Sequence, residues 1–230
     1  MCTAIVSHGE RYLAGFDLDI DPAVWDYRLY CKNGVFYIGI RVGSTVYKVH
    51  GVNADGHFGV LPYRNGAVGV PRRGAKYQRV DLLVDRWLSG KYDYAELTAR
   101  LQEKELVDAA GCSMHALFAD REGHILLAEP GSGFRAYERR VVVTNYPMIE
   151  PPAELTNPFY GAERKACAEQ LLSGIKEPTK EDIFAALRAA AQEGQWATRL
   201  SFVYDGEENA VYWCEERDFD HIRRFALNEG

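Results

Sequence analysis

At 230 residues, of which 47% are hydrophobic and 26% charged, the chain has enough apolar material for one globular domain with an ample core. A formal net charge of -6 argues against nucleic acid as a partner, since binders carry a basic face or stripe, and the pairs Arg72-Arg73, Arg139-Arg140 and Arg223-Arg224 are too short to make one. No stretch approaches the ~20 apolar residues of a membrane span, and the first residues lack the charged, apolar and cleavage regions of a signal peptide, so a cytoplasmic protein is expected.

The first third reads as β structure. Thr3–Ser7, Tyr12–Leu18, Val35–Val42 and Thr45–Val49 are rich in Val, Ile, Tyr and Phe and are separated by Gly, Asp and Asn signals. A further strand is expected over His57–Tyr63, after the turn Asn53-Ala54-Asp55-Gly56. Helical spacing then takes over at Arg79–Leu88, where Val80, Leu83, Val84 and Trp87 recur at three and four residues, and again at Tyr94–Lys104. Strands return at Met114–Ala119, Ile125–Glu129, Phe134–Tyr137 and Val141–Thr144. Two helices follow, Gly161–Leu172 and Lys180–Gln192, the second capped by Thr179 with Asp182 three residues on. The chain ends in strands at Arg199–Tyr204, Ala210–Cys214 and around Ile222–Ala226. Blocks of strands alternating with blocks of helices predict an α+β protein, with two antiparallel sheets stacked between two helical layers in an αββα sandwich. No repeat or linker divides the chain, so residues 1–230 are expected to form a single domain.

The five cysteines, Cys2, Cys31, Cys112, Cys167 and Cys214, stand far apart without metal-ligand spacing. No metal or organic cofactor is expected. His115, in the apolar run Met114–Phe118, is read as a core histidine. Cys2 is different, because it directly follows Met1. Removing one methionine would place a thiol and a free α-amine on one residue, with reference pKa values of about 8.5 and 7.7–8.0. A nucleophile beside its own base suits acyl transfer.

Three stretches, Met1-Cys2-Thr3, then Leu13-Ala14-Gly15-Phe16-Asp17-Leu18-Asp19, then Val143-Thr144-Asn145-Tyr146-Pro147, together resemble the choloylglycine hydrolase and penicillin V acylase family of N-terminal nucleophile hydrolases. They are also similar to the related acid ceramidase and acyltransferase groups. Gly51–Gly56, the acidic strand pair around Ala119–Glu129, and Gly161-Ala162-Glu163-Arg164 fall in the same order. The resemblance implies that Cys2 is the nucleophile and its own amine the base. It implies that Asp19 orients that amine or thiol, that Asn145 donates its side-chain amide to the oxyanion, and that Arg164 gives electrostatic support, with Lys165 as fallback. Counting on from the glycine turn places Tyr63 where a backbone N–H would complete the oxyanion hole. Asp17 and Asp21 are read as polar alternates of a strand end facing solvent.

Phe16 departs from this pattern, since the resemblance puts an arginine there; the ring is read either as a loss that another cation must offset or as the wall of an apolar acyl pocket. Substrate contacts are expected from Tyr63–Arg73 and Glu150–Phe159, with Trp25, Tyr27 and Phe159 as candidate apolar surface. The implied partner is a small N-acyl amide, hydrolysed at a linear C–N bond through a thioester. Glutamine amidotransferase chemistry and a silent small-molecule binding protein are the alternatives. The acyl group and the amine are open, as is the choice between a monomer and a homo-oligomer.

Overall fold

A computed structural model of the chain describes residues 1–42, 44–65, 72–108 and 112–228. Two antiparallel sheets make its centre. The first contains β1 (Cys2–His8), β2 (Tyr12–Asp19), β12 (Arg140–Val143), β13 (Thr198–Asp205), β14 (Ala210–Glu215) and β15 (Arg223–Ala226), in the order β12-β1-β2-β13-β14-β15. The second runs β11-β10-β9-β6-β5-β4-β3, formed from Gly133–Tyr137, Ile125–Glu129, Ala116–Ala119, Phe58–Val60, Thr45–Asn53, Val35–Val42 and Tyr27–Lys32.

The period of two in each strand explains the layers. Ala4, Val6, Ala14 and Phe16 of the first sheet pack with Phe36, Ile38, Phe58 and Val60 of the second in one buried cluster, whereas Ile5, Leu13 and Val203 face the opposite way. There they meet Ile183 and Leu187 of α4 (Lys180–Ala190), and Ala168 and Leu172 of α3 (Ala162–Leu172). On the outer face of the second sheet, α1 (Val80–Leu88) buries Leu83, Val84 and Trp87, and α2 (Tyr94–Glu103) follows it. The architecture is therefore the expected αββα sandwich.

Gly15 sets how closely the helical layer approaches. A Cβ there would lie 2.7 Å from Ile183 Cγ2, so glycine lets α4 rest almost on the backbone of β2, two and four residues before Asp17 and Asp19. The expected cap is present: Thr179 and Asp182 form a reciprocal capping box.

Several bounds differ from expectation. Strand β3 was not foreseen because, at the edge of its sheet, it is half-exposed and mixes Arg28 and Lys32 with Tyr27 and Leu29. The three-residue strands β7 (Tyr77–Arg79) and β8 (Glu105–Val107), which pair in parallel, are too short to give a period. The strand expected over His57–Tyr63 is regular only at Phe58–Val60. Helix α4 stops before Gln192, with Ala191 already extended.

Candidate active site

β1 lies between β2 and β12, so the chain's first residues are held inside a sheet on both sides. Cys2 pairs with Leu18 and is only 5% exposed. The Met1 amine donates to the Asp19 carbonyl at 2.6 Å, and the Cys2 N–H donates to Asn145 Oδ1 at 3.2 Å. Burial pushes the Cys2 thiol above its ordinary pKa, opposed by the positive Met1 amine and by a backbone hydrogen bond from Asp19.

Cys2 faces the inter-sheet core with Ala4 and Val6, so Thr3 faces α3 and α4. Asp17 and Asp19 share this helical side of β2. The solvent exposure expected of Asp17 and Asp21 is corrected by the fold: Asp17 is 0% and Asp21 9% exposed, and Asp19 beside them is 2% exposed, because α4 packs against β2 here. Asp17 Oδ1 accepts from Ser201 Oγ at 2.6 Å, and its Oδ2 has no partner among the described residues. Burial, followed by the neighbouring Asp19 charge, lifts its carboxyl well above the usual range.

Asp19 has four donors. Oδ1 accepts from Thr198 Oγ1 at 2.5 Å, and Oδ2 accepts from Gln192 Nε2 at 2.6 Å and from Arg164 Nη1 at 3.1 Å. Its backbone carbonyl takes the Met1 amine. Burial raises the carboxyl to about 6 against the lowering effect of Arg164, the Met1 amine, Thr198 and Gln192. A carboxyl whose folded pKa lies above its unfolded value of about 3.9 stabilises the fold fully at acid pH and loses that contribution as pH rises through about 6. The stability of the parent protein relative to Asp19→Asn is thus expected to fall between pH 4 and pH 7. Urea titrations of both proteins across that range check it, and a difference that stays flat or grows with pH would contradict it.

Arg164 is placed by the start of α3. Gly161, at φ +70°, takes the left-handed conformation at the cap, and a Cβ there would collide with the guanidinium. The side chain folds back over the helix start and bridges β1, β2 and the segment that follows β12. Nη1 donates to Thr3 Oγ1 at 2.8 Å, to Cys2 O at 3.3 Å and to Asp19 Oδ2, while Nη2 donates to Asn145 Oδ1 at 2.5 Å. Lys165, the fallback, pairs with Glu169 on the helix surface instead.

Asn145, just after β12, links the parts. Its Oδ1 accepts from both Cys2 N and Arg164, and its Nδ2 donates to Tyr63 O at 2.5 Å, leaving the second amide hydrogen available. Tyr63 faces Met114 in an antiparallel bridge flanked by Arg64 N–H to Ser113 C=O at 2.8 Å and His115 N–H to Pro62 C=O at 2.9 Å. With the ladder bonds on the flanking residues, Tyr63's own N–H and C=O point away from Met114. The C=O meets Asn145, and the N–H on the same edge has no partner among the described residues.

The five predicted residues are thus brought together. Thr3, Gln192 and Thr198 complete the cluster and had no local signal: Gln192 and Thr198 lie 173 and 179 residues from Asp19 in the chain. Phe16 does not wall an open pocket. It is wholly buried between the sheets, stacked on His50 with ring centroids 4.4 Å apart, and burial lowers that imidazole to about 3. Arg164 reaches the cluster from the helical side, and so does not fill the space Phe16 occupies.

Of the expected substrate loops, residues 66–71 lie outside the described residues; in the other, Phe159 is 53% exposed, and its carbonyl accepts from Asn65 Nδ2 at 2.7 Å. Asp120, Glu122 and His124 bring potential metal-ligand atoms within 4.8 Å of one another. Their contacts are those of a turn, with Asp120 accepting both following backbone N–H groups and His124 Nδ1 at 2.8 Å.

The αββα arrangement with the chain start held inside a sheet is the N-terminal nucleophile hydrolase fold. Among solved structures, the chain is similar to conjugated bile acid hydrolase from Clostridium perfringens, with a TM-score of 0.69 and 13% identity over 100% of this chain and 93% of that one. Penicillin V acylase from Agrobacterium tumefaciens aligns with a TM-score of 0.63 and 12% identity, over 94% of this chain and 83% of that one. The Caenorhabditis elegans ortholog of N-acylethanolamine-hydrolyzing acid amidase gives 0.58 and 17%, over 88% and 92%. No protein-family model matches the chain, and no curated protein matches it by sequence. No described helix is long and apolar enough to cross a membrane.

Proposed function

We propose that the protein is an amidohydrolase that cleaves a linear C–N bond of a small N-acyl amide through Cys2, after removal of Met1. The observation that carries this reading is the convergence of Cys2, Asp19, Arg164, Asn145 and Tyr63 on the first residues of the chain. The similar structures, named as a conjugated bile acid hydrolase, a penicillin V acylase and an ortholog of an N-acylethanolamine-hydrolyzing acid amidase, support the same class.

In the mature chain the α-amine would be the Cys2 nitrogen itself, with Asn145 Oδ1 as its acceptor and the Asp19 carbonyl nearby. A buried thiol with a raised pKa needs a base, and the amine can take its proton as sulfur attacks the acyl carbonyl. The oxyanion would lie against the free hydrogen of Asn145 Nδ2 and the Tyr63 N–H. The protonated amine then returns its proton to the departing nitrogen, and water releases the acyl group from the thioester. Arg164 keeps the Asn145 carbonyl oxygen occupied, which turns the amide's N–H₂ toward the oxyanion.

Intact-mass measurement during turnover of a panel of N-acyl amides tests the proposal. The expected species lacks Met1 and carries a transient acyl mass on Cys2. Turnover by a chain that keeps Met1 would overturn the mechanism. Reversible binding without an adduct would favour a silent binding protein.

A further inference from the structure

Beneath the Tyr63 and Asn145 segments lies a buried ionic cluster that the proposed mechanism does not use. Arg64 is 3% exposed, and Glu129 and His115 are wholly buried. Arg64 Nε donates to Ser113 Oγ at 3.0 Å and Nη2 to the Pro130 carbonyl at 2.9 Å. The guanidinium stands 3.9 Å from Glu129 Oε2 and 3.8 Å from Asp108 Oδ2. Glu129 accepts the Met148 N–H at 2.7 Å and the Ile149 N–H at 3.2 Å, and meets His115 Nδ1 at 2.8 Å.

The cluster connects both sides of the oxyanion site. Arg64 directly follows Tyr63, and Met148 and Ile149 follow Asn145 by three and four residues. The Asn65 N–H donates to the Asn145 carbonyl at 2.6 Å, which closes a ring from Arg64 through Glu129 back to Asn145. Buried ion pairs add little net stability compared with apolar packing of the same volume. What this one supplies is a fixed spacing between two irregular segments that share no strand pairing.

We infer that Arg64 and Glu129 are positioning residues that set the separation of the Tyr63 N–H and Asn145 Nδ2. The inference rests on the amidohydrolase reading. Its test uses Glu129→Gln and the double variant Arg64→Met/Glu129→Met, the latter because apolar replacement of both partners preserves packing where one orphaned charge would not.

Three rates are compared with the parent: acylation of Cys2 by p-nitrophenyl acetate, alkylation of Cys2 by iodoacetamide, and hydrogen exchange at the Asn65, Met148 and Ile149 amides. Alkylation builds no oxyanion. In folded variants, acylation is expected to fall by about 10²-fold with alkylation unchanged, and the Asn65 amide is expected to exchange faster. Unchanged acylation, or acylation and alkylation falling together, overturns the inference. If the parent protein is not acylated at all, the amidohydrolase reading fails separately. The exchange arm then decides the positioning claim, which undiminished protection of Asn65 in the double variant would overturn.

Discussion

The Cys2→Ala protein is expected to fold and to lose turnover of N-acyl amides by on the order of 10⁴- to 10⁶-fold. The substitution removes one sulfur from a small buried site and leaves every backbone bond of β1 in place, so a fall in activity far larger than any fall in stability is the signature of a nucleophile. Neither Cys31 nor Cys214 is suited to substitute for it. Burial pushes Cys31 up to about 11 and Cys214 up to about 12, leaving both protonated near neutral pH. Turnover and intact mass, measured beside the melting temperature, check the expectation; hydrolysis at the parent rate by Cys2→Ala would end the case for covalent catalysis.

Arg164→Leu should damage stability as well as rate. The guanidinium is the cation held against the buried Asp19 carboxyl, whose side chain is 0% exposed. Orphaning one partner of such a pair costs about 3–5 kcal/mol. Asp19 is then expected to titrate above its present value of about 6, since the largest lowering influence on it is gone. Activity should fall too, because Asn145 Oδ1 and Thr3 Oγ1 lose their shared donor. Arg164→Lys is expected to recover part of the stability and little of the rate, as one ammonium cannot span four acceptors on β1, β2 and the segment after β12. Urea unfolding with single-turnover acylation reads both effects, and an Arg164→Leu protein of parental stability would show that the pair contributes nothing.

The strands that stack the sheets were legible because Phe36, Ile38 and Ile40 recur at every second residue in β4, and because β1 and β10 are short apolar runs bounded by turn signals. The capping box at Thr179 was legible because it is local. Strand β3 was not, since edge exposure dilutes its apolar signal with Arg28 and Lys32. At the site, Cys2, Asp19, Asn145, Tyr63 and Arg164 could be named only through ordered resemblance, as no local pattern separates a buried Asp19 from a solvated one. Composition could not reveal that α4 would cover Asp17 and Asp19, because that depends on Gly15 admitting the helix. Gln192 lay hidden for the opposite reason: helical spacing ran on through it, whereas the chain turns extended at Ala191 and frees its amide for Asp19.

The embedding of β1 between β2 and β12 also bears on when the proposed removal of Met1 would occur. Asn145, which accepts the Cys2 N–H, lies 143 residues further along the chain, and Arg164, which donates to the Cys2 carbonyl, 162. At about 5–20 residues per second, a ribosome needs roughly ten to thirty seconds to make the segment that closes over the start of the protein. On the proposed reading, Met1 is open to a methionine-removing peptidase during that interval, and afterwards its amine is held on the Asp19 carbonyl. On the proposed reading, fast synthesis or scarce peptidase would yield folded molecules locked in an inert form, so the active fraction of a preparation would be set during translation.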